Sequence, residues 1–156
     1  MKSKITFGLV ALAICFAPVG VSAQAKKKGP PFPKDVIQLL AKTKKQIKSV
    51  DLESFKKIHD RKAYDLLLDV RSAKEYKAGH VPGAVNVDRG VLEFAIWRHV
   101  GFPANTNRKI KVYVYCRLGG MSTLATKTLQ DLGFTDVTQV NMRVRDWAAK
   151  GYPLAK

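Results

Sequence analysis

The chain has 156 residues, 46% of them hydrophobic and 26% charged, and a formal net charge of +16. This composition excludes collagenous, low-complexity and wholly disordered chains and suits one domain of roughly 100 to 130 residues. Two cysteines and no Cys-x-x-Cys exclude a disulfide-dense scaffold, zinc held by that motif and thioredoxin-type exchange.

Lys2 and Lys4 precede an apolar run from Ile5 to Ala17, and the small-residue pattern Val21-Ser22-Ala23 follows. Residues 1–23 are therefore expected to be a secretory signal peptide, with cleavage after Ala25 as the alternative, and the mature protein is expected in the periplasm or the medium. A lipid anchor on Cys15 is disfavoured because Ile14 stands where a small residue is needed. Residues 24–34 follow as a basic, proline-rich tail and linker, with Lys26-Lys27-Lys28 ahead of Gly29-Pro30-Pro31-Phe32-Pro33. Residues 26–62 hold twelve basic and four acidic side chains. The tail reads first as a solubilising, solvated segment; its sharper reading is contact with an acidic protein partner or an anionic membrane surface. Nucleic acid is not expected, since export takes the protein away from it.

Residues 35–156 are expected to form a single domain with an extra helix at its start. Asp35 to Lys45 reads as that helix, with Val36, Leu39, Leu40 and Thr43 on one face. A short strand is expected at Gln46 to Val50, and Asp51 then caps a helix carrying Leu52, Phe55 and Ile58. Leu66-Leu67-Leu68, ending at Asp69, reads as a strand buried on both faces. A short helix from Ser72 to Ala78 stops at Gly79, and a short strand runs from Ala84 to Val87. Gly90 to His99 is amphipathic, with Leu92, Phe94, Ile96 and Trp97 available for packing. Lys111 to Tyr115 reads as a second central strand, Ser122 to Leu132 as a helix, Val137 to Val140 as the last strand, and Arg145 to Lys150 as a helix closed by Gly151. The alternation predicts an α/β layer sandwich with a mostly parallel sheet.

Removal of the leader leaves Cys116 as the single cysteine. It stands where a strand hands over to a helix, the place at which α/β sheets gather ligands. The linking residues are Arg117, Leu118, Gly119, Gly120 and Met121, with Ser122 opening the helix. Two adjacent glycines let the loop curl with its amides inward as an anion-binding nest. Those amides, the helix terminus and Arg117 would favour a thiolate over a thiol at an accessible Cys116.

Three motifs carry a resemblance. The first is Leu68-Asp69-Val70-Arg71, then Glu75-Tyr76, Gly79-His80-Val81-Pro82-Gly83-Ala84 and Asn86; the second is Tyr115-Cys116-Arg117 with Gly119 and Ser122. The third is Gly133-Phe134 with Val137, then Trp147 and Gly151-Tyr152-Pro153. From about Gln46 onward the chain resembles a single rhodanese domain, the sulfurtransferase family, and Arg89 to Phe94 resembles what exported single-domain members carry. The resemblance implies a rhodanese-like three-layer sandwich and a persulfide on Cys116, taken from thiosulfate, polysulfide or a protein persulfide and passed to a thiophilic acceptor. No cofactor is implied. Arg117, Leu118, Gly119, Gly120, Met121 and Ser122 would hold the donor and the outer sulfur.

Two departures stand out. The family commonly has Arg at the position of Met121, and its paired glycines before the tryptophan are replaced by Met142-Arg143. The first removes a cation from the rim; Arg143 and Arg145 would restore part of that charge if the fold brings them there. Asp69 and Glu75 read as structural support, while Arg71 either joins that network or shapes the pocket. His80 reads as a hydrogen-bonded turn residue. His59 and His99 are isolated, so no metal site is expected. A cysteine phosphatase would need Arg at the position of Ser122, and the loop is one residue too short for it. A non-catalytic module that binds a partner protein remains the alternative to an enzyme.

Overall fold

The computed structural model describes residues 32–156. The expected signal peptide, 1–23, and all but the last three residues of the 24–34 tail lie outside the described residues.

The chain opens with α1 (Lys34–Lys44), β1 (Lys48–Asp51) and α2 (Leu52–Asp60), followed by β2 (Leu66–Asp69), α3 (Ala73–Ala78) and β3 (Val85–Asn86). The short α4 (Leu92–Ala95), β4 (Lys111–Cys116), α5 (Gly120–Asp131), β5 (Asp136–Arg143) and α6 (Val144–Ala149) complete it. Local chemistry sets several boundaries. The Asp51 carboxylate accepts from the Ser54 amide at 2.8 Å and opens α2. The Ser72 hydroxyl accepts from the Glu75 amide at 3.3 Å and donates to the Glu75 carboxylate at 3.1 Å, which opens α3.

The five strands form one parallel sheet in the order β1-β5-β4-β2-β3. This is the expected α/β sandwich. Because side chains alternate along a strand, β4 sends Val112, Val114 and Cys116 into one buried cluster, with Leu92, Ile96, Ala125 and Leu129. It sends Tyr113 and Tyr115 into the other, with Phe55 and Trp147. Two helical layers on a two-faced sheet explain why Leu66, Leu67 and Leu68 of β2 are all apolar.

Three expectations change in detail. Phe94 is 85% exposed rather than packed. Residues 89–99 form a short α-helix between 3-10 turns, and Leu92 and Ile96 take its inward face; Phe94, two residues past Leu92, turns about 200° away. Leu39 is half-exposed, because α1 rests chiefly on α5 and buries only a narrow stripe. Finally, β5 runs to Arg143, since a register shift between Val114 and Cys116 sets Gln139 and Arg143 against those two β4 residues.

Candidate active site

Cys116 is the last residue of β4, and strand alternation turns it toward α5. It is buried, with 1% exposure, where the sequence pointed to an accessible loop thiol. Its Sγ accepts hydrogen bonds from the Gly119 amide at 3.1 Å and the Ser122 amide at 3.3 Å. The Ser122 hydroxyl lies 3.4 Å away. Gly119, at φ +87°, lets the chain fold back over the sulfur, and α5 starts at Gly120, two residues earlier than expected, so that its positive end faces Sγ.

What holds this loop was not anticipated. The Gly119 carbonyl accepts from Ser122 Oγ at 3.0 Å, Thr123 Oγ1 at 2.8 Å, Gln139 Nε2 at 2.9 Å and the Thr123 amide at 3.0 Å. Four donors exceed what two lone pairs accept well, which leaves the Ser122 hydroxyl hydrogen free to turn to a charged sulfur. Gln139, 1% exposed, thereby ties the loop to the neighbouring strand. The available signal was a polar residue inside the buried run Val137 to Val140.

The structure also brings Leu118, Gly120 and Met121 beside Cys116, lining one cavity with Arg117. The Arg117 side chain is 67% exposed, with Nε 3.7 Å from the Glu75 carboxylate. Arg71 does not reach this cavity. Its guanidinium donates to both Asp69 oxygens at 2.6 to 3.0 Å and to the Gly79 carbonyl at 2.8 Å. Burial opposes the Arg71 charge, but hydrogen bonding and the charge of Asp69 prevail and hold its ionisation above the ordinary value. Asn86 completes the network by donating to the Asp69 and Arg71 carbonyls. Burial, helped by Asp69, also keeps the Tyr115 phenol well above its usual range; its oxygen accepts from the Val81 amide. His80 stacks on Tyr76 and contacts its carbonyl at 3.1 Å, away from Cys116.

Arg143 stands beside Cys116 in the sheet register, but neither its side chain nor that of Arg145 turns to the cavity. Arg143 pairs with Asp146 at 2.6 Å, and Arg145 lines a separate cleft with Arg71 and Arg117. Neither lines the Cys116 cavity, so the charge missing at Met121 is not restored from there.

A family model described as "Rhodanese-like domain" matches residues 51–150. The chain belongs to the rhodanese family. Among relatives of this rhodanese, YrkF of Bacillus subtilis, described only provisionally as a sulfur carrier protein, is 33% identical over 105 residues. That match takes in 67% of this chain and 52% of YrkF, so the chain spans about half the length of that relative. The human single-domain sulfurtransferase superposes with a TM-score of 0.57 at 26% identity, covering 65% of this chain and 96% of that one. A Rhodopseudomonas palustris protein of unknown function, described as a possible tyrosine phosphatase, superposes with a TM-score of 0.66 at 25% identity. It covers 86% of this chain and 99% of its own.

Proposed function

We propose that this rhodanese is an exported sulfurtransferase that carries sulfane sulfur as a persulfide on Cys116. The observation that carries the reading is the pair of amides, from Gly119 and Ser122, aimed at a buried sulfur at the mouth of α5. Donors fixed in a dry site stabilise an anion with little reorganisation. Export rests on the basic and apolar leader and Val21-Ser22-Ala23.

With thiosulfate, the Cys116 thiolate attacks the outer sulfur; a new S–S bond forms, the old one breaks, and sulfite leaves with its electron pair. Cys116–S–S⁻ then gives that sulfur to cyanide or to an acceptor thiolate, restoring Cys116–S⁻. Charge balances in both steps and no general base is required. Polysulfides and protein persulfides fit the same scheme. The basic N-terminal segment would serve an acidic partner or an anionic membrane surface.

Thiocyanate formation from cyanide, with thiosulfate and separately with polysulfide, tests the reading. Turnover with at least one donor is expected; a folded protein that never exceeds the uncatalysed rate contradicts it and leaves the partner-binding module.

Met121 lines the cavity where family members commonly carry Arg. Met121→Arg is expected to raise kcat/KM for thiosulfate on the order of tenfold, since a charged hydrogen bond contributes about 1.5 to 3 kcal/mol when well formed and this rim is partly solvated. Steady-state kinetics on both proteins check this, and an unchanged value contradicts a role for Met121 in donor capture.

A further inference from the structure

The cavity beside Cys116 has a volume of about 410 Å³, within the range of small-molecule sites. Most of its wall is apolar: Phe32, Val36 and Leu40 on one side, Leu118, Met121 and Leu124 on the other, with Lys44, Arg89 and Arg117 completing the lining. The first three are spaced four residues apart, which places Val36 and Leu40 on one face of α1 with Phe32 just before it. Leu40 sits over Gly120, where a Cβ would meet its Cδ1 at 3.5 Å. This wall lies outside residues 51–150, the part that matches the family domain.

Resting on the reading of Cys116 as the sulfur-carrying nucleophile, we propose that the donor is a small organic persulfide, R–S–SH, whose aliphatic R group lies against α1, with Val36 and Leu40 setting that preference. Thiosulfate has five heavy atoms; at roughly 30 Å³ each, the share of a water molecule in the liquid, it would fill about a third of the space. Its charge would gain nothing from the six apolar side chains that form most of the wall. Cys116 is 1% exposed and lines this cavity, so a donor sulfur reaches it past these apolar walls, which a small molecule enters more readily than a folded carrier. Of the three cations on the lining, Arg89 is engaged by Glu93 at 2.9 Å and Thr128 at 3.0 Å. Arg117 has its Nε 3.7 Å from Glu75, which leaves Lys44, without an ion-pair partner among the described residues, to attract a departing anion.

The transfer balances without an oxidant. Cys116–S⁻ attacks the terminal sulfur of R–S–SH, a new S–S bond to Cys116 forms, and the donor's own S–S bond breaks, its electron pair leaving with R–S⁻. The product Cys116–S–SH then passes its proton to R–S⁻, giving Cys116–S–S⁻ and R–SH.

The experiment compares ethyl and hexyl hydropersulfide with thiosulfate, inorganic polysulfide and a persulfidated carrier protein as donors to the full chain. Each methylene that reaches the cavity multiplies kcat/KM by about threefold to fourfold. Two to three such methylenes give hexyl an advantage over ethyl on the order of thirtyfold. In Val36→Asp this ratio collapses toward unity. In Ile37→Asp, on the same helix but outside the cavity, it persists. Equal rates for the two alkyl persulfides in the wild type, or a faster reaction with thiosulfate, polysulfide or the carrier protein, overturn the proposal while sulfur transfer itself stands. Absence of turnover with every donor overturns both it and the sulfurtransferase reading. The wild-type ratio needs no variant, so a misfolded Val36→Asp leaves the test intact.

Discussion

Replacing Cys116 with serine is expected to reduce sulfur transfer to the uncatalysed rate while leaving the fold intact. Serine at this position still offers an oxygen to the Gly119 and Ser122 amides, which donate to Sγ at 3.1 and 3.3 Å. Nothing polar is orphaned and almost no volume is lost. The stability change is therefore about 1 kcal/mol or less, although the residue is buried. The chemistry has no such substitute. A hydroxyl ionises far less readily than a thiol, and oxygen does not hold a sulfane sulfur as a persulfide does. Thermal denaturation followed by circular dichroism, beside the thiocyanate assay, separates the two effects. A variant that is folded and still active contradicts the assignment of the nucleophile.

Asp69→Ala is expected to do the reverse, damaging the fold more than any contact at the cavity. Asp69 is fully buried at the end of β2, and its partner Arg71 is 5% exposed. Two guanidinium nitrogens and the backbone amide of Arg71 donate to the Asp69 carboxylate, and that network also fixes Asn86 and the turn at Gly79. Removing the carboxylate leaves a guanidinium buried with one carbonyl. Breaking a buried pair from one side costs about 3 to 5 kcal/mol. A domain of this size holds roughly 5 to 15 kcal/mol in total, so the Tm should fall by about 10 °C or more. Denaturation in urea provides the free-energy difference directly, and a loss under about 1 kcal/mol would contradict this account of the motif.

How far the sequence disclosed the molecule depended on how much each residue was constrained by its neighbours. Leu66-Leu67-Leu68 and Val112 to Tyr115 face the core on both sides, so their composition alone marks them as central strands. Asp51 and Ser72 announce helix starts because their side chains bond the next turn. Cys116 was legible as the centre of the site because a strand, two glycines and a helix surround it. Its depth was not, since burial followed from β4 continuing one residue further. Gln139 escaped notice because its partner, the Gly119 carbonyl, lies twenty residues away and exists only once the loop has curled. The helix α1 was found, but its inward stripe was set by a cavity wall rather than by the core. Hence Val36 and Leu40 line the cavity, Val36 remaining 38% exposed, Leu39 does not, and Phe32, placed in the linker, joins the site.

Intact mass of the protein after incubation with a sulfane-sulfur donor, and again after mild reduction, tests the central claim most directly. The account predicts a gain of one sulfur atom that reduction removes and that peptide mapping assigns to Cys116. Unchanged mass with every donor, or an added sulfur carried by a peptide without Cys116, would contradict it.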